Sequence, residues 1–221
     1  MSIAAEQGPK VQQEIYQAFG LIKEKRLAEA EELLRKEISE TSPPMETALL
    51  HSVLGFLYRV KGEAKAAWRE YEQAERLMPG DPALKIISAR FLIDEFAQYD
   101  TALKKAKEVL KLAKGSPSFE HQARTTMGLA CLRKGDRKKA VTLFKEILQE
   151  GFEGMVSAEN IDFHLVEAFM KRNLEKPLCH EFVKKGLALA RAKNEAKMIT
   201  FLEHLLEVFE LAPPVEVKNY T

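Results

Sequence analysis

Apolar residues recur at helical spacing along most of the chain, and clusters of proline and glycine interrupt them. The clusters are TSPP at 41–44, PGDP at 79–82, GSPS at 115–118 and GFEG at 151–154. Between them, apolar residues return at i, i+3, i+4 and i+7, and no segment alternates β-branched with polar residues. This pattern favours helices over strands throughout. The intervals of about 35 to 40 residues each have room for two helices and a turn.

Several helix starts carry the residues that usually cap them. Asp81 precedes Pro82 and Ser116 precedes Pro117, which predicts an N-cap oxygen followed by proline at the first helical position. Asp100 and Asp136 stand where the second helices of two pairs should begin.

One position in the second helix of each pair repeats through the chain. It is occupied by Ala30, Ala67, Ala102, Ala140 and Cys179, at intervals of 37, 35, 38 and 39 residues. The positions twelve residues earlier are Ala18, Gly55, Arg90, Gly128 and Glu167. Because antiparallel helices approach closely only where side chains are small, these two positions mark the helix crossings. The larger Arg90 and Glu167 leave a one-residue shift of register open in the third and fifth pairs.

These residues resemble the tetratricopeptide repeat (TPR) family. The second pair matches the family pattern at Leu54, Gly55, Tyr58, Gly62, Ala67, Tyr71, Ala74 and Pro79, and the fourth at Met127, Gly128, Gly135, Ala140 and Phe144. The resemblance implies an all-α, right-handed α-solenoid of about five antiparallel helix pairs with a C-terminal capping helix. The predicted array spans 11–212, with units at 11–41, 44–79, 82–114, 117–150 and 157–192 and a capping helix at 195–212. Flexible ends are expected at 1–10 and 213–221.

The composition offers little for catalysis. The five histidines are scattered without metal-ligand spacing, and the two cysteines, Cys131 and Cys179, fall on core positions. We expect no enzyme activity, no cofactor and no metal site. The N-terminal residues contain no apolar run of signal-peptide length, and no stretch of about 18 apolar residues occurs, so we expect a cytoplasmic protein without a membrane span.

The net charge of +1 conceals a local basic excess. Residues 101–150 contain 12 Lys and Arg against 5 Asp and Glu, whereas the segments on either side are slightly acidic. A basic region of this kind could bind a polyanion or nucleic acid, or it could be the solvated outer face of second helices. No aromatic residues are interleaved for base stacking, so polyanion binding is the alternative and not the leading hypothesis.

In the TPR family, first helices line a concave groove that binds partner proteins. The resemblance therefore implies a non-enzymatic interaction scaffold or adaptor that holds a partner peptide or helix in this groove. Phe19, Phe56 and Phe91 each follow a crossing position, although the uncertain register leaves open whether Phe91 is buried between repeats. The predicted groove residues are Ile15, Phe19, Ile22, Lys23, Ser52, Phe56, Arg59, Phe91, Glu95, Leu129, Arg133, His164, Lys171 and Arg172.

The capping helix carries apolar residues over about 180° of arc, wider than one packing surface needs. If its flanks are exposed, with Ile199 and Leu206 on one side and Phe201 and Val208 on the other, two chains could form a homodimer there. The alternatives are that neighbouring repeats cover the flanks or that another protein binds them.

Overall fold

The computed structural model describes residues 10–40 and 43–211, with side chains described as far as residue 207. In these ranges the chain forms eleven α-helices and one short 3-10 helix, and no strand. The predicted all-α succession of helix pairs is confirmed. The helices are α1 Lys10–Lys23, α2 Leu27–Glu40, α3 Pro44–Val60, α4 Ala64–Leu77, α5 Pro82–Phe96, α6 Tyr99–Leu112, α7 Pro117–Lys134, α8 Arg137–Glu150, the 3-10 helix Ala158–Asn160, α9 His164–Lys171, α10 Lys176–Ala192 and α11 Ala196–Leu211.

The helices form two compact units, the first ending at Phe96 and the second beginning at Ala97. Unit 1 contains α1 to α5, and unit 2 contains α6 to α11. The boundary falls inside the predicted third helix pair, 82–114, so that its two helices belong to different units. Most of the predicted flexible ends, 1–10 and 213–221, lie outside the described residues.

The core of unit 1 forms where the predicted small residues let helices approach. Ala18, Ala30 and Ala67 are fully buried. A methyl group added to Gly55 would lie 2.7 Å from Cε1 of Tyr71, so the Tyr71 ring occupies the space that any side chain at residue 55 would need. This contact explains why glycine stands at the α3–α4 crossing.

Glycine in the left-handed backbone region forms two of the tight turns between paired helices. Gly62 has φ 75° between α3 and α4, and Gly135 has φ 96° between α7 and α8. Lys25 adopts φ 62° in the turn between α1 and α2 although it is not glycine. The sequence gives no signal for that turn, because only glycine and asparagine favour this conformation.

Two of the four predicted capping residues make the expected bond. Asp81 accepts a hydrogen bond from the Leu84 N–H at 2.8 Å, and Asp136 accepts one from the Lys139 N–H at 3.1 Å. Ser116 is the N-cap residue of α7 with Pro117 at the first helical position, as predicted, but its side chain makes no cap bond. Asp100 lies in the first turn of α6, one residue after the helix start, and its carboxylate pairs with Lys134 at 2.5 Å instead of capping the helix.

Aromatic rings fill the core of unit 2. Phe182 lies at its centre, with ring centroids of Phe144, Phe152 and Phe163 5.6, 5.0 and 5.5 Å away. Ala102, Ala140 and Cys179 are fully buried, as their place in the repeat predicts. A methyl group at Gly128 would lie 2.5 Å from a terminal methyl group of Leu165, so the Leu165 side chain fills the space beside this glycine where α7 meets α9.

Both uncertain registers shift by one residue. Ala89 is fully buried where Arg90 was expected at the crossing, and Val166 is buried whereas Glu167 is exposed. In the fifth pair the first helix also begins later than the predicted start at 157, because residues 151–163 form a loop and a 3-10 turn before α9. That loop buries Phe152, Met155 and Ile161 and so belongs to the core.

The terminal helix α11 packs on α10 through the fully buried Leu202. Ile199 and Leu206 are half-buried, so this flank of α11 is largely covered. Phe201 remains 49% exposed, with its ring 5.8 Å from that of Phe163. The side chains of Val208 and Phe209 lie outside the described residues. Within the described ranges, no helix has both the length and the apolar character that crossing a membrane requires.

Candidate functional site

Unit 1 exposes a pair of aromatic rings on neighbouring first helices. Phe19 on α1 directly follows the buried Ala18, and Phe56 on α3 directly follows Gly55. Their ring centroids are 5.7 Å apart and tilted by 54°, which is a favourable aromatic arrangement. The two side chains nevertheless remain 42% and 37% exposed. Two adjacent aromatic residues at equivalent repeat positions thus face solvent together.

Further exposed apolar side chains extend this pair into a surface, here called the aromatic face. At 100° per residue, Met45, Leu49 and Val60 project from α3 within about 40° of Phe56. Their exposed fractions are 59%, 46% and 47%, and Tyr16 on α1 is 69% exposed. The aromatic face therefore comprises Tyr16, Phe19, Met45, Leu49, Phe56 and Val60.

Four of these residues were not among the predicted groove residues, namely Tyr16, Met45, Leu49 and Val60. A signal for three of them was present, because α3 carries large apolar residues at 45, 49, 56 and 60 in addition to its buried stripe. A helix that is apolar on two sides needs a second partner for one of them.

The other predicted groove residues of unit 1 lie beside the aromatic face. Ile15 and Ile22 are half-buried against the core of unit 1, and Ser52 is partly exposed one turn before Phe56. Lys23, Arg59 and Glu95 are exposed. Arg59 lies 3.8 Å from Asp94 of α5, which is an ion pair too long for a hydrogen bond.

Phe91 does not lie on this surface, contrary to the prediction. It is only 2% exposed, and its ring packs against Tyr71 at 5.0 Å, Phe96 at 5.7 Å and Trp68 at 6.4 Å. The one-residue shift that buries Ala89 turns Phe91 into the core and brings Arg90 to the repeat position of Phe19 and Phe56. Burial lowers the pKa of Arg90 to about 10, partly offset by the nearby Asp94 carboxylate.

The predicted groove residues of unit 2 are mostly exposed, but several already have partners. Leu129 is 8% exposed and therefore belongs to the core, which corrects its placement on the groove. His164 pairs with Asp162 at 2.6 Å, Lys171 lies 3.8 Å from Glu167, and Arg172 donates a hydrogen bond to the Leu132 carbonyl at 2.9 Å. Arg133 is exposed at the end of α7.

Part of the basic excess in residues 101–150 is neutralised within unit 2. Lys134 pairs with Asp100 at 2.5 Å, Arg137 with Glu175 at 2.6 Å, and Arg124 with Glu150 at 2.7 Å. Exposed lysines remain on α6 and α8: Lys104, Lys107, Lys111, Lys138, Lys139 and Lys145.

Unit 2 also contains a cleft of about 450 Å³ between the loop at 151–153 and α10. Phe152 and Leu189 contribute apolar surface, and Lys185, Lys193 and Glu153 stand around it. Phe152 and Leu189 are themselves only 3% and 8% exposed, and the exposed Ala188 and Ala192 supply further apolar surface.

No family model and no curated protein matches this sequence. Solved structures resemble the fold at low identity. Pseudomonas aeruginosa pilF is 16% identical with TM-score 0.57, covering 91% of this chain and 93% of its own. A Podosopora anserina putative kinesin light chain with nearly identical TPR-like repeats is 15% identical with TM-score 0.59, covering 91% and 94%. A tetratricopeptide repeat protein from Parabacteroides merdae is 16% identical with TM-score 0.54, covering 93% and 81%.

These likenesses confirm the fold that the sequence pattern predicts. The chain is built as a tetratricopeptide repeat α-solenoid, with helix pairs crossing at small residues. At identities of 15% and 16% the comparisons establish the architecture. Architecture alone does not define a function, which has to be argued from the surface that the fold presents.

Proposed function

We propose that this chain is a non-enzymatic scaffold that binds a peptide or helix of a partner protein on the aromatic face of unit 1. The observation that carries the proposal is the exposed Phe19–Phe56 pair, extended by four further apolar side chains on α1 and α3. Exposed apolar side chains grouped on neighbouring helices are typical of interaction sites, and aromatic residues supply much of the binding energy of protein interfaces.

The chemistry of the remaining residues supports a binding role over catalysis. Both cysteines are buried, and burial raises the pKa of Cys131 and raises that of Cys179 to about 12, so neither thiol is activated as a nucleophile. Within the part of the chain that the structure describes, no group of three His, Cys, Asp or Glu residues is arranged to hold a metal ion.

Affinity capture from the native cell tests the proposal. The wild-type chain should retain a partner in moderate salt, and Phe19→Ala/Phe56→Ala should reduce the captured amount at least about tenfold, as loss of two aromatic contacts implies. Leu112→Ala is a matched control, because Leu112 is 50% exposed but lies on α6 in unit 2. Equal capture by the wild type and the double Phe variant would refute the role of the aromatic face.

Polyanion binding by unit 2 is the second candidate. One observation favours it: Lys107, Lys134 and Lys139, from α6, α7 and the start of α8, all act electrostatically on the Cys131 thiol and so lie near one another. The two functions differ in salt dependence. Binding through these lysines should weaken steeply and linearly with log salt and be lost in Lys107→Glu/Lys139→Glu, whereas capture by the aromatic face should persist.

A further inference from the structure

The exposed apolar residues of α3 form a straight stripe along the helix. At 100° per residue, Met45, Leu49, Phe56 and Val60 lie within about 60° of arc, and the partly exposed Ser52 stands between them. The stripe runs from the first turn of α3 to its last residue, which is about 22 Å at 1.5 Å per residue. A partner that uses the whole stripe therefore lies along α3 instead of crossing it at one point.

The intervals along this stripe match the side-chain spacing of a second helix. Positions 45, 49, 52, 56 and 60 follow one another at three or four residues, which is about 5.6 Å of rise per contact. The packed face of a partner helix repeats every 3.5 residues, or about 5.3 Å. Alternate side chains of an extended chain lie about 6.7 Å apart, so its contacts would be out of step by about 4 Å after four intervals.

The aromatic face also offers little to the main chain of an extended segment. Among its six side chains only Tyr16 carries a polar group, a hydroxyl. Within α1 and α3 the backbone N–H and C=O groups bond inside the helices, so this face has no strand edge to which an extended chain could add. An extended segment would leave its own N–H and C=O groups unpaired against apolar surface, whereas a helix satisfies them internally.

The exposed area fits a single helix better than a second folded protein. The six side chains are on average about half exposed, and large apolar side chains have roughly 150–200 Å² of surface each, which gives about 450–600 Å². An interface of standard size between two folded proteins uses about 800 Å² of each partner. A second copy of this chain bound through the aromatic face alone would fall short of that area.

We propose that the segment bound by the aromatic face is an amphipathic α-helix of about four turns, which lies along α3 with large apolar residues at intervals of three and four. Its end residues contact Met45 and Val60, and a side chain between them contacts Phe19 and Phe56. This inference rests on the proposed function, since it assigns the conformation and the apolar pattern of the partner at that same surface. The helix continues the packing of α1 on α3, because the Phe19–Phe56 contact leaves both rings partly exposed.

A phage-displayed library of random peptides about 16 residues long tests the inference, with the full chain as bait. The wild type should select peptides that carry large apolar residues at intervals of three and four over at least three turns. In a synthetic copy of the best peptide, proline at a central position outside this apolar pattern should weaken binding at least about tenfold in fluorescence anisotropy, because it breaks the helix. Alanine at the same position should change the affinity less than about threefold.

Two variants of the chain test whether the peptide lies along α3. Met45→Ala and Val60→Ala change exposed residues at opposite ends of the stripe, so each should preserve the fold and weaken the same peptide at least about threefold. Leu112→Ala is the matched control and should leave the affinity unchanged, since Leu112 is 50% exposed on α6 of unit 2.

Selected peptides with alternating apolar residues, a best peptide that tolerates proline, or an affinity that Met45→Ala or Val60→Ala leaves unchanged would overturn the helix inference and leave the proposed function intact. Selection that Phe19→Ala/Phe56→Ala leaves unchanged, or no selection at all, would count against the proposed function as well.

Discussion

Gly55 lies where α3 crosses α4, and the Tyr71 ring fills the space beside its Cα atom. The added methyl group of Gly55→Ala would lie 2.7 Å from that ring, which Phe91 holds in place at a centroid distance of 5.0 Å. We expect Gly55→Ala to destabilise unit 1 by about 1–3 kcal/mol through overpacking. The chain's single tryptophan, Trp68, lies in unit 1, so denaturant unfolding followed by its fluorescence reports on this unit.

Gly20 provides the matched control for that substitution. It lies inside α1, and a methyl group there meets nothing within 4 Å. Because alanine is the better helix former, Gly20→Ala should stabilise unit 1 by about 0.5–1 kcal/mol. If both substitutions shift the unfolding midpoint in the same direction, close packing at the α3–α4 crossing does not explain the glycine.

Glu31 links the first helix pair to the second. Its carboxylate accepts hydrogen bonds from Lys61 Nζ at 2.8 Å, from the Tyr58 hydroxyl at 2.5 Å and from Arg35 Nε at 3.0 Å. These partners, Lys61 first, lower the pKa of Glu31 to about 2. Since the folded pKa lies below that of an unfolded glutamate, near 4.3, the stabilisation is complete above about pH 5 and is lost as the pH falls towards 2.

Glu31→Gln should therefore cost about 1–2 kcal/mol at pH 7, and the difference from wild type should shrink between pH 5 and pH 2. Urea unfolding followed by Trp68 fluorescence at pH 7, 4.5 and 2.5 measures this. Glu32→Gln, at the exposed neighbouring position, should show a small effect at every pH. A Glu31→Gln deficit that stays constant with pH would show that the ion pairs do not stabilise the fold.

For single residues, the sequence predicted the helix crossings that carry alanine or glycine. It misplaced by one residue the two positions assigned to Arg90 and Glu167. All five anchors, Ala30, Ala67, Ala102, Ala140 and Cys179, are fully buried. Arg90 and Glu167 were assigned to the small-residue position by counting back twelve residues. The buried residue of the first helix lies one position earlier in each case, at Ala89 and at Val166, and no glycine marks it.

At the scale of single elements, the apolar surface that the terminal helix α11 exposes determines whether two chains could associate through it. Leu202 is fully buried, Met198, Ile199, Leu205 and Leu206 are half-buried, and Phe201 is the one exposed large apolar residue among the described side chains of α11. The exposed ring of Phe201 is by itself much smaller than a stable dimer interface requires. From the side chains described as far as residue 207, we therefore expect the isolated chain to be monomeric.

We expect light scattering to give a mass near 25.1 kDa across a concentration series. A mass that rises towards twice this value, and that returns to the monomer in Phe201→Glu but not in Thr200→Glu, would establish the homodimer. Thr200 is exposed on the same turn of α11 and controls for the added charge.

The segment between α8 and α9, residues 151–163, was not predicted as a buried loop. Phe152, Met155, Ala158 and Ile161 are buried there at intervals of three residues, which imitates one face of a helix. Their burial comes from contacts with other parts of unit 2, such as the packing of Phe152 on His121 at 5.4 Å. Periodicity reports burial on one side of a segment, and it does not distinguish a helix from an irregular segment with the same spacing.

For the whole molecule, the repeat pattern predicted the architecture and two of the six residues of the aromatic face. The positions of Phe19 and Phe56 follow from the crossing residues, because each phenylalanine comes directly after one. The exposure of Tyr16, Met45, Leu49 and Val60, and the replacement of Phe91 by Arg90, depend on which neighbours cover each helix. A sequence pattern cannot supply that information without the packed structure. Which protein binds depends on the partner's own sequence as well as on this surface.

The central claim is that the aromatic face, and no other surface, contacts a partner protein. Ser52 lies beside that face, one turn before Phe56, and is partly exposed, so a photo-crosslinking amino acid at residue 52 would react with whatever binds there. We predict a distinct crosslinked protein from position 52 in the native cell, lost when Phe19 and Phe56 are changed to alanine and absent from a probe at Lys104 in the basic region. Crosslinks from position 104 but none from position 52 would contradict the account and place the interaction on unit 2.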